Sequence, residues 1–159
     1  MKYTPTLKLK SSKILGIDPG YGRLGYAILE SGKLIDAGCF ETSKDTAFED
    51  RLQEVGRHLK ELLAKHKPDA LAIEKLFLNT NQKTAMRVAE TRGAILYLAH
   101  GLKIAEFSPP EVKLAVCGYG RADKKQVAKM IKLIFKTDDS LNDDALDAIA
   151  IAFTASGRI

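Results

Sequence analysis

Changes in the rhythm of apolar and polar positions divide the chain into elements. Lys13–Asp18 (KILGID) is a short apolar run closed by a Pro-Gly turn signal, which predicts a buried strand. Gly25–Ser31 and Lys33–Thr42 predict two further strands about the tight-turn pair Ser31-Gly32. Over Ala47–Lys65 the period changes. Leu52, Val55, Leu59, Leu62 and Leu63 recur at helical spacing, and Pro68 lies just beyond the end. Asp69–Glu74 (DALAIE) predicts a fourth strand, and its unbroken apolar run implies cover on both faces, as in a parallel strand. Asn79–Gly101 reads as a long helix and Leu102–Phe107 as a fifth strand. Pro110–Cys117 is a short helix with proline early, where its missing N–H costs nothing. Asp123 and Gln126 form a variant capping box for a helix running to about Lys136, with Val127, Met130, Ile131 and Ile134 as its apolar stripe. The mostly apolar Asp143–Ala155 predicts a last, buried helix.

The order β-β-β-α-β-α-β-α-α-α predicts an α/β fold. Its sheet is mixed and five-stranded, three antiparallel strands followed by two parallel ones, with helices on its faces. Residues 13–159 are expected to form one domain. Residues 1–12 form a basic arm with no acidic residue and no apolar core of a signal sequence; it is expected to be frayed, although Leu7–Lys10 alternate as an edge strand would.

Composition narrows the function. The 159 residues carry 25 Lys+Arg against 20 Asp+Glu, a formal charge of +5, which admits a polyanion as partner without requiring one. No apolar run approaches the roughly 20 residues needed to span a bilayer. Cys39 and Cys117 are far apart with no CxxC spacing, which excludes a zinc ribbon or a disulfide framework. They are expected to be buried thiols in a reducing cytoplasm.

The chemistry lies in the carboxylates. Asp18 ends the first strand and Glu74 the fourth, and the crossovers place these strands side by side. Asp144 and Asp147 are three apart on the last helix and share a face. Singly, each has a plainer role: Asp before Pro-Gly forms turns, and Asp at a helix start complements the macrodipole. Together they would repel unless a cation lay among them, and hard divalent ions take oxygen ligands of this kind. A charge at the end of the apolar strand (Glu74) and another inside ALDAIAIA (Asp147) favour the second reading.

The stretches ILGIDPGYGRLGYAILE, LAIEKLFLNTNQKTAMRVAETRGAIL, EFSPPEVKLAVCGYGRADKKQV and DDALDAIAIA, in this order and spacing, resemble the RuvC family of Holliday junction resolvases, within the ribonuclease H-like superfamily. The resemblance covers nearly everything after residue 13. It implies a ribonuclease H-like fold and a homodimer that nicks opposed strands of a four-way DNA junction with Mg²⁺ or Mn²⁺, two ions per site, leaving 5′ phosphate and 3′ hydroxyl ends. Carried over by residue, the acidic ligands are Asp18, Glu74, Asp144 and Asp147. Asp143 leaves the third ligand open by one position, and the DxxD spacing to Asp147 selects Asp144. The resemblance also marks Phe77 for stacking on an unpaired base, and Lys113 and Lys124 for phosphate contacts. Lys125 and Arg121 extend the basic edge, with Lys129 and Lys132 further along. The Asn79–Gly101 helix is a candidate two-fold contact, since Ala85, Val88, Ala89 and Ile95 are more apolar positions than one core face needs.

A branch-migration motor is a further partner known for the family. Two other functions compete: a ribonuclease H-like nuclease acting on RNA, and a phosphate-binding ATPase-like domain suggested by GIDPGYGRLGYAI. A junction-binding protein without activity is a third.

Overall fold

The computed structural model describes residues 12–76 and 82–159. The sheet contains β1 (Lys13–Asp18), β2 (Arg23–Glu30), β3 (Lys33–Glu41), β4 (Ala70–Glu74) and β5 (Lys103–Phe107). The helices are α1 (Phe48–His66), α2 (Gln82–Leu98), α3 (Pro109–Cys117), α4 (Lys124–Phe135) and α5 (Asp143–Ser156). The strand order β3-β2-β1-β4-β5 is the mixed sheet expected from the sequence. β1 and β2 are antiparallel, as are β2 and β3; β4 runs parallel to β1, and β5 to β4.

Local chemistry explains the joints. Ser31 and Gly32 both have positive φ (50° and 75°), which a two-residue hairpin turn with the right twist requires. Lys67 closes α1 in the left-handed region at φ 48°, and Pro68 follows. The Asp123 carboxylate accepts from Gln126 N at 2.8 Å, while Gln126 Oε1 accepts from Asp123 N at 2.9 Å, so the capping box is complete. Ser108 and Glu111 make a second box at the start of α3. There, bonds from the Ser108 N–H and O–H hold the Glu111 carboxyl down to about 2.

Two apolar layers form. Leu15, Ile17, Leu24, Ile28, Leu71 and Ile73 pack against Val55, Leu59 and Leu62 of α1 and Ile95 of α2. Ile14, Ala27, Leu29 and Ala72 face α5 on the other side, with α3 and α4 outside it. The apolar stripe of α4 is narrower than its sequence suggests. Val127 and Ile131 are buried, but Met130 and Ile134 stay exposed, because only the i, i+4 row meets the core. The two thiols are likewise only half-buried. Cys39 lies on the edge strand β3, and Cys117 ends α3. The predicted arm and the start of Asn79–Gly101 fall largely on residues 1–11 and 77–81, outside the described residues.

Two glycines seat α5 on the sheet. A Cβ on Gly16 would lie 2.4 Å from the Ala148 carbonyl oxygen, and one on Gly25 would lie 2.1 Å from that of Asp144. Neither clash can relax by a side-chain movement, since both meet backbone. Gly25→Ala should therefore lift the start of α5 from β2 and cost about 3 kcal/mol or more, at the upper end of overpacking penalties. A fall in the urea midpoint checks this; an unchanged midpoint would mean that α5 tolerates displacement.

Candidate active site

The β1–β4 register ends at Ile17 opposite Ile73, so the next residues, Asp18 and Glu74, emerge together at one edge of the sheet. α5 starts above that edge. The Asn142 side chain accepts from Ala145 N at 3.0 Å and fixes the first turn, whose face carries Asp144 and Asp147. Three elements distant in sequence thus bring four carboxylates to one place. A cleft of about 240 Å³ opens beside them, with Glu74, Lys113, Lys124 and Asp147 at its polar side and Val112 and Val127 in its wall.

Asp18 feels this crowding most. Burial, then the charges of Asp147, Glu74 and Asp144, push its carboxyl up to about 7, against a smaller opposing pull from Lys124. Burial also raises Glu74, with Asp147 adding to it, while Lys124 and Lys113 oppose. Burial raises Asp147 too, offset by its bond to Lys124. The Lys124 ammonium lies 2.9 Å from Asp147 Oδ2, and this bond raises its own pKa.

Among the described residues, no three His, Cys, Asp or Glu side chains are arranged to hold a metal ion as they stand. Basic groups contact two of the carboxylates instead: Lys124 meets Asp147, and Arg23 Nε lies 3.3 Å from Asp144 Oδ2. The donor chemistry nevertheless suits a hard divalent cation. It offers carboxylate oxygens, and burial together with the like charges of Asp147, Glu74 and Asp144 raises the Asp18 carboxyl to about 7, a repulsion that an added cation would relieve.

The four acidic candidates therefore come together, with Lys113 and Lys124 beside them. Asp144 acts on Asp18, whereas Asp143 is exposed and its field reaches Lys124 and Asp147. Lys125 and Arg121 are exposed at the start of α4 and in the preceding loop, and among the described residues they contact none of the four carboxylates. Phe77 lies outside the described residues. Two of the three histidines are engaged elsewhere, with His66 Nε2 3.0 Å from Asp36 and His58 stacked on Phe40.

Three neighbours escaped sequence reasoning. Arg23 bridges Asp144 and Glu41, the latter at 2.7 Å. Cys39 Sγ lies 3.7 Å from Asp144 Oδ2. Arg92 Nε donates to the backbone carbonyl of Glu74 at 3.1 Å and Nη2 pairs with Glu106. The strand alternation of β2 and β3 would have given the side of the sheet for Arg23 and Cys39, but not their partners on α5.

Known proteins are similar to this chain in sequence and fold. The profile of the family described as crossover junction endodeoxyribonuclease RuvC matches residues 14–155. The RuvC of Alkaliphilus metalliredigens is 47% identical over 87% of this chain and 89% of its own. That of Thermosipho melanesiensis is 47% identical over 89% and 94% respectively. A solved structure of T. thermophilus RuvC in complex with Holliday junction substrate superposes with a TM-score of 0.81 at 29% identity, covering 90% of this chain and 92% of that one. A yeast mitochondrial Holliday junction resolvase shares the fold at a TM-score of 0.65 and 14% identity.

Proposed function

The chain belongs to the RuvC family of crossover junction endodeoxyribonucleases and is a Holliday junction resolvase cleaving four-way DNA junctions, and on that premise we propose that Asp18, Glu74, Asp144 and Asp147 hold the divalent cations on which this family depends. The observation that carries the proposal is the convergence of these carboxylates on Asp18, whose carboxyl rises to about 7. These residues would take Mg²⁺, with Mn²⁺ as its substitute, two ions to a site. Bound there, the ions would supply neutralisation of charge at the phosphodiester and a lowered pKa for the attacking water.

The chain's own groups do the rest. Asp18 feels the charges of all three other carboxylates, Asp147, Glu74 and Asp144. Lys113 and Lys124 orient the phosphate by charge, without reading sequence. Lys125 and Arg121 draw in the backbone from the exposed edge of α4, and Phe77 stacks on an unpaired base. The products are a 5′ phosphate and a 3′ hydroxyl. α2 forms the two-fold contact: Met86 and Tyr97 are exposed on it, and Gly93 has nothing against it within 4 Å among the described residues. A C2 dimer presents two sites to a two-fold junction. A branch-migration motor delivers the junction, in the cytoplasm. No helix among the described residues is long and apolar enough to cross a membrane.

A synthetic four-way junction labelled on each strand in turn tests this. With Mg²⁺, symmetric nicks should appear in one opposed pair of strands, and linear duplex or RNA hybrid should be cut far more slowly. Preference for RNA would favour the other ribonuclease H-like reading, and binding without nicks a non-catalytic one. Replacing Lys113 and Lys124 by Ala should lower the salt slope of junction binding by about 0.9 for each phosphate that is no longer neutralised.

A further inference from the structure

We propose that Arg92 is a positioning residue for cleavage, which fixes the catalytic end of β4 by bonding the Glu74 backbone from α2. The inference rests on the reading of Glu74 as a cation ligand.

Glu74 is where the sheet opens. β1 pairs with β4 only as far as Ile73, and Asp18 pairs with Gly25 on its other side. On the β5 side the ladder continues one step, with Lys75 N donating to the Phe107 carbonyl at 2.8 Å. The Glu74 carbonyl takes its bond from Arg92 Nε at 3.1 Å. The same guanidinium pairs through Nη2 with Glu106 on β5, the residue level with Ile73. One side chain from α2 therefore holds the terminal peptide of β4 and its neighbouring strand together.

The setting is costly for a merely stabilising contact. The Arg92 side chain is only 16% exposed, and burial lowers its pKa. A half-buried ion pair adds little stability over an apolar replacement of the same shape. What the guanidinium adds is a fork of donors in fixed geometry, which an apolar side chain lacks. Arg92 lies in the second half of α2, so its bond ties the body of that helix to the end of β4. The Glu74 carboxylate is set by this backbone, and a displacement of about 1 Å at a reacting group can cost about 10²-fold in rate.

The test compares Arg92→Gln, Arg92→Lys, Glu106→Gln and Glu74→Gln in the full chain, each against the unmodified protein. The readouts are single-turnover cleavage at saturating junction, junction Kd in Ca²⁺, Mn²⁺ binding by calorimetry, molar mass in solution and thermal midpoint. Arg92→Gln should cleave roughly 10–100-fold more slowly and bind Mn²⁺ more weakly, with junction Kd and molar mass unchanged. Arg92→Lys, which keeps one donor, should recover part of the rate. Glu106→Gln should shift rate and Mn²⁺ binding in the same direction by less, and it decides the matter if Arg92→Gln does not fold. Wild-type cleavage by Arg92→Gln, or by Glu106→Gln and Arg92→Lys together, overturns the proposal. So does a fall in junction binding and thermal midpoint in step with rate, with no rescue by Lys, which would mark a folding role. Wild-type cleavage by Glu74→Gln removes the ligand reading itself, a result separable from the Arg92 arms because only it leaves the Arg92–Glu106 pair intact.

Discussion

Asp18→Asn protein should bind a four-way junction within about threefold of the unmodified affinity and cleave it at least about 10³-fold more slowly, since removing one group that acts in concert with its neighbours costs nearly the whole effect. The substitution keeps the shape at the end of β1 and removes one charge. Lys124 and Lys113 both act on Glu74, and Lys124 bonds Asp147, so neither depends on Asp18 alone for its place and phosphate attraction should survive. The same change relieves repulsion from three carboxylates, so the variant should unfold at a higher temperature than the parent when both are in chelator at pH 8. Loss of activity with a gain in stability separates a ligand from a fold-supporting residue. Asp144→Asn should follow Asp18→Asn, while Asp143→Asn, an exposed residue, should cleave within about threefold of normal. Nicking by Asp18→Asn at more than a tenth of the usual rate would reject the assignment.

Much of this architecture was legible in the residues because the signals are local. Ser31-Gly32 demands positive φ, Asp123 and Gln126 satisfy each other's backbone, and the apolar run before Glu74 requires cover on two faces. The strand order followed from connection rules, and with it the meeting of Asp18 and Glu74. What escaped were contacts between elements. Nothing near Gly16 or Gly25 in sequence announces that α5 needs their missing Cβ atoms in order to descend on the sheet. Arg92 looks like one of many helix cations, and only the superposition of α2 on the end of β4 gives it the Glu74 carbonyl. Likewise the exposure of Met130 and Ile134 depends on how wide a strip of α4 meets α5, which the period of the sequence leaves open.

In chelator, stability should fall as pH rises from 5.5 to 8, and Asp18 should account for most of the slope. An isolated Asp titrates near 3.8, whereas in the folded chain Asp18 is raised to about 7. Between those values the native state holds a proton that the unfolded chain has released, so unfolding is favoured by increasing pH. Below about 4 both states are protonated and the effect vanishes; above about 7 it is complete. Only the roughly 1.5 units between pH 5.5 and the folded value of about 7 fall in this window, about 2 kcal/mol, and a chain of this size loses roughly 2–4 °C in Tm per kcal/mol, which puts the expected fall at roughly 4–8 °C. Glu74 and Asp147, also raised by burial, act in the same direction. His58, lowered by burial, acts oppositely, because its contribution rises as pH climbs toward 6.5 and is complete above it. The depressed Glu111 matters only below its ordinary value of 4.5. Subtracting the Asp18→Asn profile from the parent cancels His58 and isolates the Asp18 contribution. Saturating Mn²⁺ should abolish the fall in the parent, since cation binding favours the ionised carboxylates of the folded state, and should do much less for Asp18→Asn. A parent profile that is flat in chelator, or one that Mn²⁺ leaves unchanged, would show that these side chains do not form a single electrostatic unit.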